Sequence, residues 1–101
     1  MDIKLVNRGK EGELVFDGRL DSTVAQEAEP LIMSTAERFD TLILNFEKLE
    51  YTASSGLRII RNLQVAMNKK GGELLIKKAG PTVMEVFEMT GFVGFLKFVK
   101  D

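Results

Sequence analysis

The segment Leu49-Glu50-Tyr51-Thr52-Ala53-Ser54-Ser55-Gly56-Leu57-Arg58 brings hydroxyls, a glycine and charges together between an apolar run and a helical stripe. Ser54, Ser55 and Gly56 therefore stand at a helix N-terminus. There, unpaired backbone N–H groups and the helix dipole favour an anion. Alternatively, Ser54 does no more than cap the helix. Both readings stand on the residues alone.

The composition removes much competing chemistry. The chain has 0 His and 0 Cys. Ser-His-Asp and Cys-His catalysis, His-ligated or thiolate-ligated metal, disulfides and an imidazole pH switch are all excluded. No lysine lies near Ser54 in sequence to activate it as a nucleophile. Gly18 and Gly56 form neither of the common phosphate-binding loops. The expectation is a protein that is not an enzyme, with no cofactor and no metal.

With 14 basic and 15 acidic residues the net charge is -1, which is not the footprint of a nucleic-acid or anionic-membrane coat. The charge is uneven: residues 1–50 are net acidic and residues 51–101 net basic. This reads as two solvated faces of opposite sign. No run approaches the roughly 20 apolar residues of a membrane span, and the N-terminus lacks a signal-peptide apolar core. The expected location is cytoplasmic. At 101 residues the chain is expected to be one domain, residues 1–101.

Ile3 and Leu5 alternate with polar neighbours, and Leu14-Val15-Phe16 follows a Gly9–Gly12 turn, which predicts an antiparallel hairpin. Asp21-Ser22 starts a helix with the stripe Val24, Ala28, Leu31, Ile32, Thr35, Ala36 and Phe39. Pro30 lies inside it, so the helix either kinks there or begins near Glu29. Residues 41–46 and 73–77 are short apolar runs, as in strands buried on both faces. Between them, Ser54-Ser55 caps a helix whose Leu57, Ile60, Leu63 and Met67 face inward, with Lys69-Lys70 opposing its dipole. Pro81 opens a third helix, Gly91 ends it, and Phe92 packs back on Phe87. Met33, Met67, Met84 and Met89 read as core filler. Residues 95–99 read as an edge strand. The order β-β-α-β-α-β-α-β implies an α/β fold with one mixed sheet: an opening antiparallel hairpin, a parallel centre and helices mostly on one face.

Three short motifs fall in the order found in one known family. They are Gly18-Arg19-Leu20-Asp21, Ser54-Ser55-Gly56-Leu57 and Met89-Thr90-Gly91-Phe92. The sequence resembles the STAS domain of bacterial anti-sigma factor antagonists over nearly its whole length. The resemblance implies a protein that binds an anti-sigma factor, itself a serine protein kinase, and is switched off when that kinase phosphorylates Ser54. Ser55 is the secondary acceptor. Asp21, Ser22, Ser55, Gly56, Leu57 and Arg58 are the implied partner-binding residues. The other reading is an unswitched STAS scaffold within a signalling assembly. Two departures stand out. Ala53 occupies a position that is often Asp or Ser in the family. The chain also stops at Asp101, where the family adds a helix, so a partner or a second copy in a homodimer is expected to cover part of the sheet.

Overall fold

A computed structural model describes residues 1–99; Lys100 and Asp101 of the expected 1–101 unit lie outside the described residues. The elements are β1 (Asp2–Arg8), β2 (Glu11–Leu20), α1 (Ser22–Ala36), β3 (Thr41–Thr52), α2 (Ser54–Lys69), β4 (Glu73–Lys77), α3 (Pro81–Thr90), a 3₁₀ turn (Phe92–Gly94) and β5 (Lys97–Phe98). The strands form one sheet in sequence order. β1 and β2 are antiparallel, and β2 through β5 are parallel. This is the expected α/β architecture.

Alternate strand residues divide the sheet. Leu14, Phe16, Leu42, Leu44, Phe46, Leu74 and Ile76 are buried in one apolar core with Ala25 and Ile32 of α1, Ile60, Leu63 and Met67 of α2, and Val83 and Phe87 of α3. All three helices therefore cover one face. The intervening residues line the other face, where Glu13 binds Asn45 and Arg8. Lys77 stands 3.8 Å from the same carboxylate. Burial opposes the Glu13 charge. The hydrogen bonds from Asn45 and Arg8, with the Lys77 and Arg8 charges, outweigh that cost and hold the carboxyl below its ordinary range.

Several elements differ from the sequence expectation for identifiable reasons. α1 runs from Ser22 to Ala36 with Pro30 inside it, so it does not begin near Glu29. An interior proline forfeits a hydrogen bond, at a cost of about 3 kcal/mol, and packing of the flanking Ala25 and Ile32 offsets it. Leu31 is 61% exposed because the buried set Ala25, Ile32, Thr35 and Ala36 lies on a neighbouring stripe of the helix. β3 has 12 residues, twice the apolar run that signalled it. Its charged second half stays extended by pairing with β2 from Asp17 to Leu20. Lys70, expected to offset the dipole of its own helix, instead donates to Ala36, Glu37 and Phe39 carbonyls at 3.1, 3.1 and 2.7 Å. It thereby satisfies the C-terminal end of α1.

The last strand is only two residues long, because Phe92–Gly94 coils into a 3₁₀ turn and Phe95 is left exposed. Gly91 has φ +80, a left-handed conformation that glycine adopts without steric cost, and the ring of Phe92 stacks on Phe87 as expected. Met67 is fully buried and Met33 and Met84 partly so, but Met89 is 80% exposed and fills no core. Among the described residues no helix is long and apolar enough to cross a membrane.

Candidate functional site

The site is set by the parallel pairing of β2 with β3. Leu20 and Thr52 are opposite each other in that ladder, and both strands end there. The Ala53 N–H donates to the Leu20 carbonyl at 2.9 Å. That bond brings the two strand-to-helix junctions together at the C-terminal edge of the sheet, the usual location of α/β sites. Asp21 precedes α1 and Ala53 precedes α2, so the first turns of the two helices start side by side.

Asp21 is the N-cap of α1, its Oδ1 accepting from the Val24 N–H at 2.9 Å, and it is exposed. The cap of α2 departs from the sequence reading. Ala53, in extended backbone, holds the N-cap position and makes no side-chain capping bond. Ser54 is the first helical residue. It does not cap the helix, because the bond to Leu20 fixes the turn one residue earlier. Ser54 is exposed, and so is Arg58 one turn further along the same helix face. Ser22 is exposed as well. A cleft of about 350 Å³ separates the two helix starts and is lined by Ser22, Gln26, Glu29, Ser55 and Arg58 among others. The Ser55 hydroxyl is buried at its wall, with no hydrogen-bond partner among the described residues.

Gly56 and Leu57 were expected at the partner surface. Both are buried, Leu57 to 7% exposure, and they shape the site from beneath. A Cβ on Gly56 would collide with Thr52 Oγ1 and lie 2.8 Å from Leu20 Cδ2. Only glycine lets the first turn of α2 sit this close to the ends of both strands. Gly56→Ala is expected to cost about 1–3 kcal/mol by overpacking, read as a lowered urea midpoint with an unchanged slope. An unchanged midpoint would mean that the turn is not pressed against Leu20 and Thr52.

Sequence reasoning gave no role to Arg19 and Tyr51, which are opposite each other in the ladder, one step from the site. The Arg19 guanidinium lies over the Tyr51 ring at 4.5 Å, an exposed contact that stiffens this edge. Arg19 lies within the Gly-Arg-Leu-Asp motif, but its pairing depends on the extension of β3. Among the described residues no group of three or more acidic side chains could hold a metal ion.

The STAS domain family model matches residues 3–101. BtrV, a candidate anti-sigma factor antagonist of Bordetella bronchiseptica, is 28% identical over 94 residues, covering 90% of this chain and 81% of its own. An anti-sigma factor antagonist from Mycobacterium paratuberculosis superposes with TM-score 0.86 at 18% identity, over 99% of this chain and 86% of that one. The antagonist SpoIIAA is similar in two states. Its unphosphorylated form gives TM-score 0.78 at 18% identity, over 99% of this chain and 89% of that one. Its phosphorylated form, from Bacillus, gives 0.77 at 19%, over 99% and 93%. The sheet order, the paired strand-to-helix junctions and the family match agree: the chain belongs to the STAS domain family.

Proposed function

We propose that this protein is an anti-sigma factor antagonist that binds an anti-sigma factor with serine kinase activity and is released by phosphorylation of Ser54. The observation that carries this reading is that Ser54 is exposed at the first position of α2 and is spared from capping by Ala53. Its hydroxyl is thus accessible to a kinase, and a phosphate there would meet the N-terminal N–H groups of α2. The names of the similar proteins point the same way, and SpoIIAA has been solved with and without its phosphate.

The mechanism is electrostatic. Phosphorylation adds about -1.5 to -2 charges and three acceptor oxygens. Placed in a docking face, that charge opposes binding through desolvation and repulsion. Arg58 is four residues along the helix from Ser54, so the phosphate also draws this cation away from an acidic partner. Asp21 and Ser22 supply the neighbouring rim of the same face. Ser55 is the poorer acceptor, since its oxygen is buried. The domain transfers no group itself and acts as a binding module.

The test is incubation with the cognate kinase and ATP, site mapping by mass spectrometry, and binding of each purified form. Phosphate is expected on Ser54, with the phospho-form binding at least about tenfold more weakly, or ~1.4 kcal/mol. Ser54→Ala should keep binding and lose the phosphate. Because Ser54 is not the cap, the alanine variant should fold normally. Phosphate elsewhere, or equal binding by both forms, would make the domain an unswitched scaffold.

A further inference from the structure

We propose that β1 is a homodimerisation edge, through which two copies pair their first strands antiparallel about a two-fold axis at Leu5. β1 is an outer strand of the sheet, pairing with β2 on one side only. It has seven residues, with no proline or glycine to blunt it, whereas the other edge strand, β5, has two. An edge of this kind presents a row of backbone donors and acceptors to another strand.

The side chains select both the occupant and the register. A two-fold axis perpendicular to the sheet makes the contact isologous and keeps the helices of both copies on one side. Residues directly opposite then share a face, so the axis passes through a residue of β1. With the axis at Lys4, Lys4 opposes Lys4 of the second copy. With the axis at Val6, Lys4 opposes Arg8 of the second copy twice. With the axis at Leu5, Asp2 opposes Arg8 of the second copy twice, Lys4 opposes Val6, and Leu5 meets Leu5. Of these three, only the Leu5 register puts opposite charges at both ends with Leu5 on Leu5 between them, the pairing that stabilises antiparallel ladders; an axis at Ile3 also pairs Asp2 with Lys4 twice but leaves residues 6–8 of both copies unpaired. Arg8 already binds Glu13, yet its side chain is 48% exposed and its guanidinium has further donors for Asp2.

The helix-side face of the strand agrees. Ile3 and Leu5 are registered with the core residues Phe16 and Leu14. Beside them runs a groove lined by Met1, Ile3, Val24, Ala28 and Leu31, with the Glu27 carboxylate also on its wall. Met1, Leu5 and Leu31 are 40%, 37% and 61% exposed. The axis at Leu5 brings the matching groove of the second copy alongside, which accounts for the outward-facing Leu31 of α1. The groove and the cleft beside Ser54 are lined by different residues of α1.

Sedimentation equilibrium from micromolar to millimolar protein is the test. The wild-type chain should dimerise. Asp2→Lys turns both end pairs into like-charge pairs and should raise the dimer dissociation constant about tenfold. Asp2 makes no ion pair within the chain among the described residues, so this variant should fold normally. Hydrogen exchange supplies the second readout: alternate amides of residues 2–8 should gain protection as concentration rises. A chain that stays monomeric at millimolar concentration would overturn the proposal. So would a dimer indifferent to Asp2→Lys, or one whose β1 amides stay unprotected.

Discussion

Phe87→Ala is expected to remove about 3–5 kcal/mol of folding stability, a large share of the roughly 5–15 kcal/mol of a typical domain. Phe87 is 0% exposed and lies at the centre of the aromatic packing. Its ring centroid is 6.3 Å from Phe46, 6.4 Å from Phe92 and 6.2 Å from Phe98. Phe46 in turn meets Phe16 edge-on at 5.3 Å. One ring thus ties α3, the 3₁₀ turn and β5 to the middle of the sheet. Truncation leaves a cavity that three separate elements would have to close, so collapse is limited and the cost falls at the upper end of the range. Urea melts measure the loss, and hydrogen exchange should show the 3₁₀ turn opening first. A loss below about 1 kcal/mol would mean that α3 is held by other contacts.

Leu63→Ala should cost about 2–5 kcal/mol. Leu63 is 1% exposed on the face of α2 that also buries Ile60 and Met67. That face fixes the rotation of the helix and thereby turns Ser54 and Arg58 outward. Val65, 42% exposed on the same helix, is the control: Val65→Ala should change stability by less than about 0.5 kcal/mol. If the two variants lose equal stability, the helix is rotated from the orientation described and Ser54 no longer faces the site. If Leu63→Ala lowers the urea midpoint and still binds the partner when folded, packing and recognition are separable, as the outward position of Ser54 requires.

Elements with strong local signals were legible from residue type and spacing alone. The hydrophobic period of α2 named Leu57, Ile60, Leu63 and Met67, and all four are buried. Pro81 and Gly91 marked the ends of α3, since a fixed φ and a left-handed φ are properties of those residues alone. The short apolar runs of β3 and β4 showed where the parallel centre lies. The motifs gave the family, and with it Ser54 as the expected phosphoacceptor and Asp21 as an expected partner contact.

Features that depend on a distant segment emerged only from the folded chain. The second half of β3 reads as a charged loop and becomes a strand because β2 lies beside it. The cap of α2 falls on Ala53, which no propensity would choose, because its N–H is committed to Leu20. Lys70 serves the end of α1, 34 residues away from Ala36 in the chain. Gly56 looked like part of a binding motif, and its necessity is steric, set by Thr52 and Leu20 underneath it. Local propensity ranks what a segment can do, whereas hydrogen-bond registration and close packing between remote segments select what it does. At this site that selection leaves the Ser54 hydroxyl outside the cap and open to solvent.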